Sequence, residues 1–161
     1  MVSIFSDASF DPRSRIGVSG ILVVSAANLK VFDGSLEVQL ALHRETACTE
    51  LEINSVIAAM THVKKMQLST VTIFSDCKTA IDLSRRREKL EVNNYLTKAS
   101  GEKHKHAELY KEFFRLYDQT TPVLTWLKGH KTSSQRSIIE CYFSFVDRTC
   151  REALRRHVAE F

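Results

Sequence analysis

Ile4-Phe5-Ser6-Asp7 near the start of the chain recurs as Ile73-Phe74-Ser75-Asp76. Each copy closes a short apolar run, residues 2–7 and 71–76, with strand-like composition, and each run ends on a carboxylate. In α/β sheets, ligands collect beyond the carboxyl ends of the strands. Two such strands lying side by side would set Asp7 and Asp76 at one edge. Carboxylates brought together repel one another unless a cation neutralises them. Hard divalent ions such as Mg²⁺ take oxygen donors of this kind.

The intervening sequence decides whether the two runs are neighbours. Asp11-Pro12 and Arg13-Ser14-Arg15 mark a turn. Ile16–Ser25 reads as a second strand, with Ile21, Leu22, Val23 and Val24 at its centre. Residues 30–40 alternate well enough for a third, so an antiparallel meander is expected. A helix should begin near 46–49 and run to about Lys65, with Val56, Ala59, Met60 and Val63 as its apolar stripe. A strand reached through a helix lies parallel to its neighbour, which puts 71–76 beside the first strand. A helix from about Lys78, another over 107–119 and a strand over 122–128 follow, and a helix over 145–159 ends the chain. The order β-β-β-α-β-α-α-β-α describes one α/β domain spanning 1–161. Its five-stranded mixed sheet has three antiparallel strands, then two parallel ones, flanked by helices.

Composition narrows the functional classes. The chain has 161 residues, 43% hydrophobic and 26% charged, and a net charge of +4. That is ordinary for one globular domain with a real core. Residues 85–105 carry seven basic against three acidic side chains, an excess equal to the net charge of the whole chain. A block of this kind fits an arm that contacts phosphates, or a solvated, salt-bridged surface. Cys48, Cys77, Cys141 and Cys150 form no C-x-x-C pair, so reduced thiols are expected rather than a zinc or thioredoxin-like site. No signal peptide is visible and no apolar run approaches the roughly 18 residues of a membrane span. A cytoplasmic monomer is the expectation.

Two further acids are candidates to join the pair. At 100° per residue, Glu52 lines up with Val56, Ala59 and Val63 on the face toward the sheet, whereas Glu50 lines up with Asn54, Thr61 and Lys65. Thr49-x-x-Glu52 also spells a capping box, which would give Glu52 only a backbone to satisfy. Asp147 stands ahead of the stripe Ala153, Leu154 and Val158, where it would otherwise cap a helix. His130, in Trp126-Leu127-Lys128-Gly129-His130, lies just past a strand, where an imidazole can shuttle protons.

Taken together, these pieces resemble the ribonuclease H family. The resemblance is carried by Ser6-Asp7-Ala8-Ser9, Leu51-Glu52, Phe74-Ser75-Asp76, Trp126-Leu127-Lys128-Gly129-His130 and Val146-Asp147-Arg148, and by the element order. It implies an endonuclease that hydrolyses the RNA strand of RNA–DNA hybrids with two Mg²⁺ ions, Mn²⁺ being able to substitute. On that resemblance Asp7, Glu52, Asp76 and Asp147 hold the metals and His130 assists with water or product release. Arg85, Arg86, Arg87 and Lys89 fall where some members carry a basic, substrate-binding protrusion; Ser9, Asn54 and Lys128 join them as substrate contacts. The chain departs from the family in having Ala8 where members usually have Gly, and in the 17-residue step from His130 to Asp147. Glu140 is nearer the usual spacing and is a rival fourth ligand. Another nucleic-acid substrate, or binding without catalysis, are the alternative readings.

Overall fold

The computed structural model describes residues 1–128 and 137–160. Three antiparallel strands come first: β1 (Val2–Asp11), β2 (Ile16–Ser25) and β3 (Gln39–His43). Two parallel strands follow, β4 (Val71–Ser75) and β5 (Val123–Trp126), and the sheet order is β3-β2-β1-β4-β5. The helices are α1 (Cys48–Lys65), α2 (Lys78–Val92), α3 (Ala107–Thr120) and α4 (Ile138–Ala159). This is the five-stranded mixed sheet expected from the sequence.

Strand alternation divides the core in two. Ile4, Ile21 and Ile73 pack on one face with Val56, Ala59, Leu83 and Phe113 of α1, α2 and α3. Their neighbours Phe5, Leu22 and Phe74 face the other way, toward Tyr142, Val146 and Cys150 of α4. The duplicated residues are register partners: Ile4 lies opposite Ile73 and Phe5 opposite Phe74, with the two phenyl rings stacked at 5.0 Å. Fully burying side chains of this size contributes about 1.5–3 kcal/mol each.

Three boundaries differ from expectation. β1 continues to Asp11, so Asp7 lies inside the strand rather than at its end. The third strand is confined to Gln39–His43, not residues 30–40. A 3₁₀ turn at Ala26–Leu29 and an Asx turn, in which Ser35 N and Oγ donate to Asp33 Oδ1, occupy the preceding segment. Tyr142 pins that segment by donating its hydroxyl to Asn28 O at 2.6 Å and accepting from Asp33 N at 3.0 Å. The last helix begins at Ile138 rather than near Phe145. Ser137 accepts from Glu140 N and donates its hydroxyl to Glu140 Oε1, so the pair caps the helix, and the stripe Tyr142, Val146, Cys150 and Ala153 continues without a break.

Candidate active site

The β1–β4 register runs from Val2↔Val71 to Phe5↔Phe74. Continued two residues further it would set Asp7 opposite Asp76, and it stops just short of that. β1 goes on alongside β2, while β4 ends at Ser75 and the chain turns into α2. The two acids therefore stand where the strands part. Asp7 is only 7% exposed; Asp76 is open to solvent.

Asp7 points to the α4 side, as Phe5 does two residues earlier. Asp147, one turn before the buried Cys150, reaches the Asp7 carboxyl with a hydrogen bond, and Cys150 Sγ–H donates to Asp7 O at 3.8 Å. Burial first, then the Asp76 charge, then Asp147, push the Asp7 carboxyl from its ordinary 3.8 up to about 8. Asp147 also accepts from Arg151 NH2 at 2.5 Å. It lies well inside α4, so it is not a helix cap. Glu140, the rival, sits in the first turn of α4 beside its cap Ser137.

Glu52 is carried in by α1. The residue capping this helix is Ala47, which makes no side-chain cap, so the Thr49–Glu52 capping box does not form. The Glu52 carboxylate instead accepts from two thiols, Cys48 Sγ at 3.6 Å and Cys77 Sγ at 3.7 Å. The latter connects α1 to the turn directly after Asp76.

Two glycines of β2 allow this assembly. A Cβ at Gly20, the register partner of Asp7, would stand 2.6 Å from Cys150 Sγ. A Cβ at Gly17, on the opposite face, would stand 2.4 Å from Leu51 Cδ2, beside Glu52. The missing side chains let α4 and α1 close on the sheet at the height of the acids. Glycine inside an apolar strand was the available signal for such close approach, and it was not among the sequence expectations. Trp126 was also unassigned there: its indole N–H donates to Asp76 O at 3.2 Å and Lys78 Nζ lies 5.4 Å from its ring centroid, while 41% of the residue stays exposed.

The other predicted residues are spread more widely. Ser9 follows Asp7 on the same side of β1 and is half-buried, as is Asn54. Asn54, two residues past Glu52, lies 200° round the helix from it. Lys128 is exposed beyond β5. His130 lies outside the described residues. In the basic block, Arg87 makes a bidentate pair with Asp118 of α3 at 2.6 and 2.8 Å and also donates to Glu91. Arg85 pairs with Asp82. Arg86 lies over the Tyr110 ring; with Lys89, Asn93, Thr97, Lys98 and His104 it lines a depression of about 220 Å³. Within the block, Arg85 pairs inside α2, Arg86 and Arg87 reach α3, and Arg86 and Lys89 also line the depression.

Among the described residues, no three His, Cys, Asp or Glu groups close into a ready-made metal cage. The acids suit a hard divalent cation all the same. Mg²⁺ keeps most of its waters and is usually held by one or two carboxylates together with substrate phosphates. Burial and the two neighbouring carboxylates raise the Asp7 carboxyl, and a bound cation would offset that rise.

Three antiparallel strands followed by two parallel ones, with acids from β1, α1, α4 and the end of β4 at one edge, define a ribonuclease H-type hydrolase. The chain belongs to the ribonuclease H family: the RNase H family model matches residues 1–151. No curated protein sequence matches it. Among solved structures it is similar to the native protease–reverse transcriptase of prototype foamy virus, at 14% identity and TM-score 0.70, over 94% of this chain. The chain spans about a fifth of that protein, 20% of its length. It is also similar to the PFV RNase H domain in solution, at 16% identity and TM-score 0.65, over 94% of this chain and 91% of that one. These structural matches concern the fold.

Proposed function

We propose that this chain cleaves the RNA strand of RNA–DNA hybrids by metal-assisted hydrolysis. The observation that carries the reading is the convergence of Asp76 and Asp147 on a buried Asp7, whose carboxyl burial and these two charges raise to about 8. Such an arrangement is costly to a protein that only binds, and useful to one that captures a divalent ion.

On this reading Asp7, Glu52, Asp76 and Asp147 hold the metal site, Asp7 between the two other aspartates and Glu52 from the α1 side. Two Mg²⁺ ions, or Mn²⁺ in their place, would supply an activated water and charge stabilisation for the leaving 3′-oxygen. His130 assists with water positioning or product release. Arg86 and Lys89 carry the phosphate contacts, with Lys128, Ser9 and Asn54 nearer the acids. Arg85 and Arg87 act mainly through their carboxylate partners. All four cysteines are free thiols, which supports a reducing, cytoplasmic setting, and the working form is a monomer. No helix among the described residues is long and apolar enough to cross a membrane.

The test is cleavage of a labelled RNA–DNA hybrid with and without Mg²⁺, by wild type and Asp76→Asn, beside single-stranded RNA, RNA duplex and DNA duplex. Metal-dependent cutting of RNA in the hybrid alone, reduced at least ~100-fold by the substitution, is the expected result. Cutting of another substrate while the hybrid stays intact would replace the substrate assignment. Binding without any cutting would replace catalysis by recognition.

A further inference from the structure

Asp76 sits in a gap between two elements. β4 ends at Ser75 and α2 starts at Lys78, so the Asp76 carbonyl belongs to neither the sheet nor the helix. Backbone polar groups need partners, and where no ladder supplies one a side chain can. The peptide unit after Asp76 is held at both ends in this way. Its carbonyl accepts from Trp126 Nε1 at 3.2 Å, and its N–H, that of Cys77, donates to Ser75 Oγ at 3.0 Å. Each holder is itself fixed. Ser75 is buried in β4, and Trp126 is its register partner at the end of β5. Leu127 N donates to Ser75 O at 2.9 Å, so the indole carries the bonding between these strands one residue past its last rung. Lys78 Nζ lies 5.4 Å from the ring centroid, a cation–π contact that ties the ring to the first turn of α2.

Burial is a small part of what this indole gains, because Trp126 is 41% exposed and packs in neither half of the core. What it adds is the N–H. With β4 fixing the chain up to Ser75 and this peptide plane fixing it after Asp76, the backbone angles of Asp76 are determined. The direction of its Cα–Cβ bond follows from them. Asp76 needs such a hold, since it lies beyond the last β1–β4 register pair, Phe5↔Phe74. We propose that Trp126 and Ser75 are positioning residues that together aim the Asp76 carboxylate at the metal site. The inference rests on the metal-site reading above. Neither residue would touch the metal; both act through one peptide plane.

Trp126 is the single tryptophan of the chain, so tryptophan fluorescence reports on this position alone. Mn²⁺, a paramagnetic quencher, should quench it saturably in the full chain, with the same midpoint as the rise in Tm that the ion produces. Asp76→Asn should lose the saturable phase. Ser75→Ala keeps the fluorophore and should move both midpoints about 10-fold to higher Mn²⁺, the usual effect of removing a group that orients a metal ligand. Trp126→Phe keeps a ring for Lys78 but no N–H, and should move the Tm midpoint by as much. The double variant should move it little further than either single, because both act on one peptide. Val123→Thr, at the other end of β5, should bind the metal like wild type. A role confined to folding would lower the metal-free Tm and leave the midpoints in place; that result would overturn the proposal, as would shifts that multiply in the double variant. A wild type whose Tm and fluorescence ignore both Mn²⁺ and Mg²⁺ would overturn the metal-site reading and this inference with it. Shifted midpoints in a protein that never cuts the hybrid would support the positioning role and remove the hybrid assignment, so the two readings fail separately.

Discussion

Gly20→Ala tests whether the approach of α4 to β2 is what delivers Asp147. The new Cβ would lie 2.6 Å from Cys150 Sγ and 3.0 Å from Val38 Cγ1, whereas ordinary contact begins near 3.4 Å. The sulfur must therefore retreat by 3.4 less 2.6, or 0.8 Å. Cys150 is fully buried in the α4 stripe and has little room of its own, so the helix moves with it and Asp147, one turn earlier, leaves Asp7. Overpacking of this kind costs about 1–3 kcal/mol. A displacement near 1 Å in a catalytic group lowers turnover by roughly 100-fold. Cys150→Ala removes the obstructing atom at a cost of about 1 kcal/mol on its own, by analogy with other buried truncations. The double variant should then be more stable than the sum of the singles by at least ~1 kcal/mol, and it should recover most of the activity. Urea unfolding and Mg²⁺-dependent hybrid cleavage on all four proteins complete the cycle. Additive stabilities, or a fully active Gly20→Ala, would refute the idea that this contact positions the acid.

Four further outcomes rest on other contacts of the fold. The Asp7 carboxyl is held up to about 8 in the folded protein, so without metal its contribution to stability is greatest below the unfolded value of 3.8 and is lost as pH rises toward 8. At 1.36 kcal/mol per pH unit the ceiling is about 6 kcal/mol, and relaxation among the three acids lowers it. Metal-free Asp7→Asn should therefore gain stability over wild type between pH 5 and about 8 while losing activity. Saturating Mg²⁺ should narrow the difference, and parallel urea curves across pH would contradict the assignment. Ser6 Oγ is fully buried and finds no partner among the described residues, so Ser6→Ala should hold or raise stability by up to ~1 kcal/mol; a loss of several would reveal a partner. Arg87→Ala should cost about 1 kcal/mol of stability and leave the salt dependence of hybrid binding nearly unchanged. Replacing Arg86 and Lys89 together should lower that slope by about 2, measured by titration across salt concentrations.

The parts of the site that could be read from the chain were those written in local periodicity. Two copies of Ile-Phe-Ser-Asp, separated by a helix, imply parallel neighbours in a common register, and the pairing of Phe5 with Phe74 realises it. Glu52 was chosen over Glu50 by its place on the helical stripe, and its carboxylate does reach across to the turn after Asp76. The misplaced boundaries had tertiary causes. Residues 30–40 alternate like a strand, but the Tyr142 hydroxyl, more than a hundred residues away, holds their first part in a turn. The run of three arginines looks uniform in sequence, and only the packing of α3 shows Arg87 paired with Asp118 and Arg86 laid over Tyr110. What the chain concealed most fully was the means by which Asp76 and Asp147 meet Asp7 and Glu52 reaches the turn after Asp76. Carboxylates advertise themselves by charge, whereas the features that bring them together are small: the hydrogens of Gly17 and Gly20, and two thiols on one glutamate. Each matters through what stands opposite it. That makes the fit around the acids, more than the acids themselves, the place where this chain is open to adjustment by mutation.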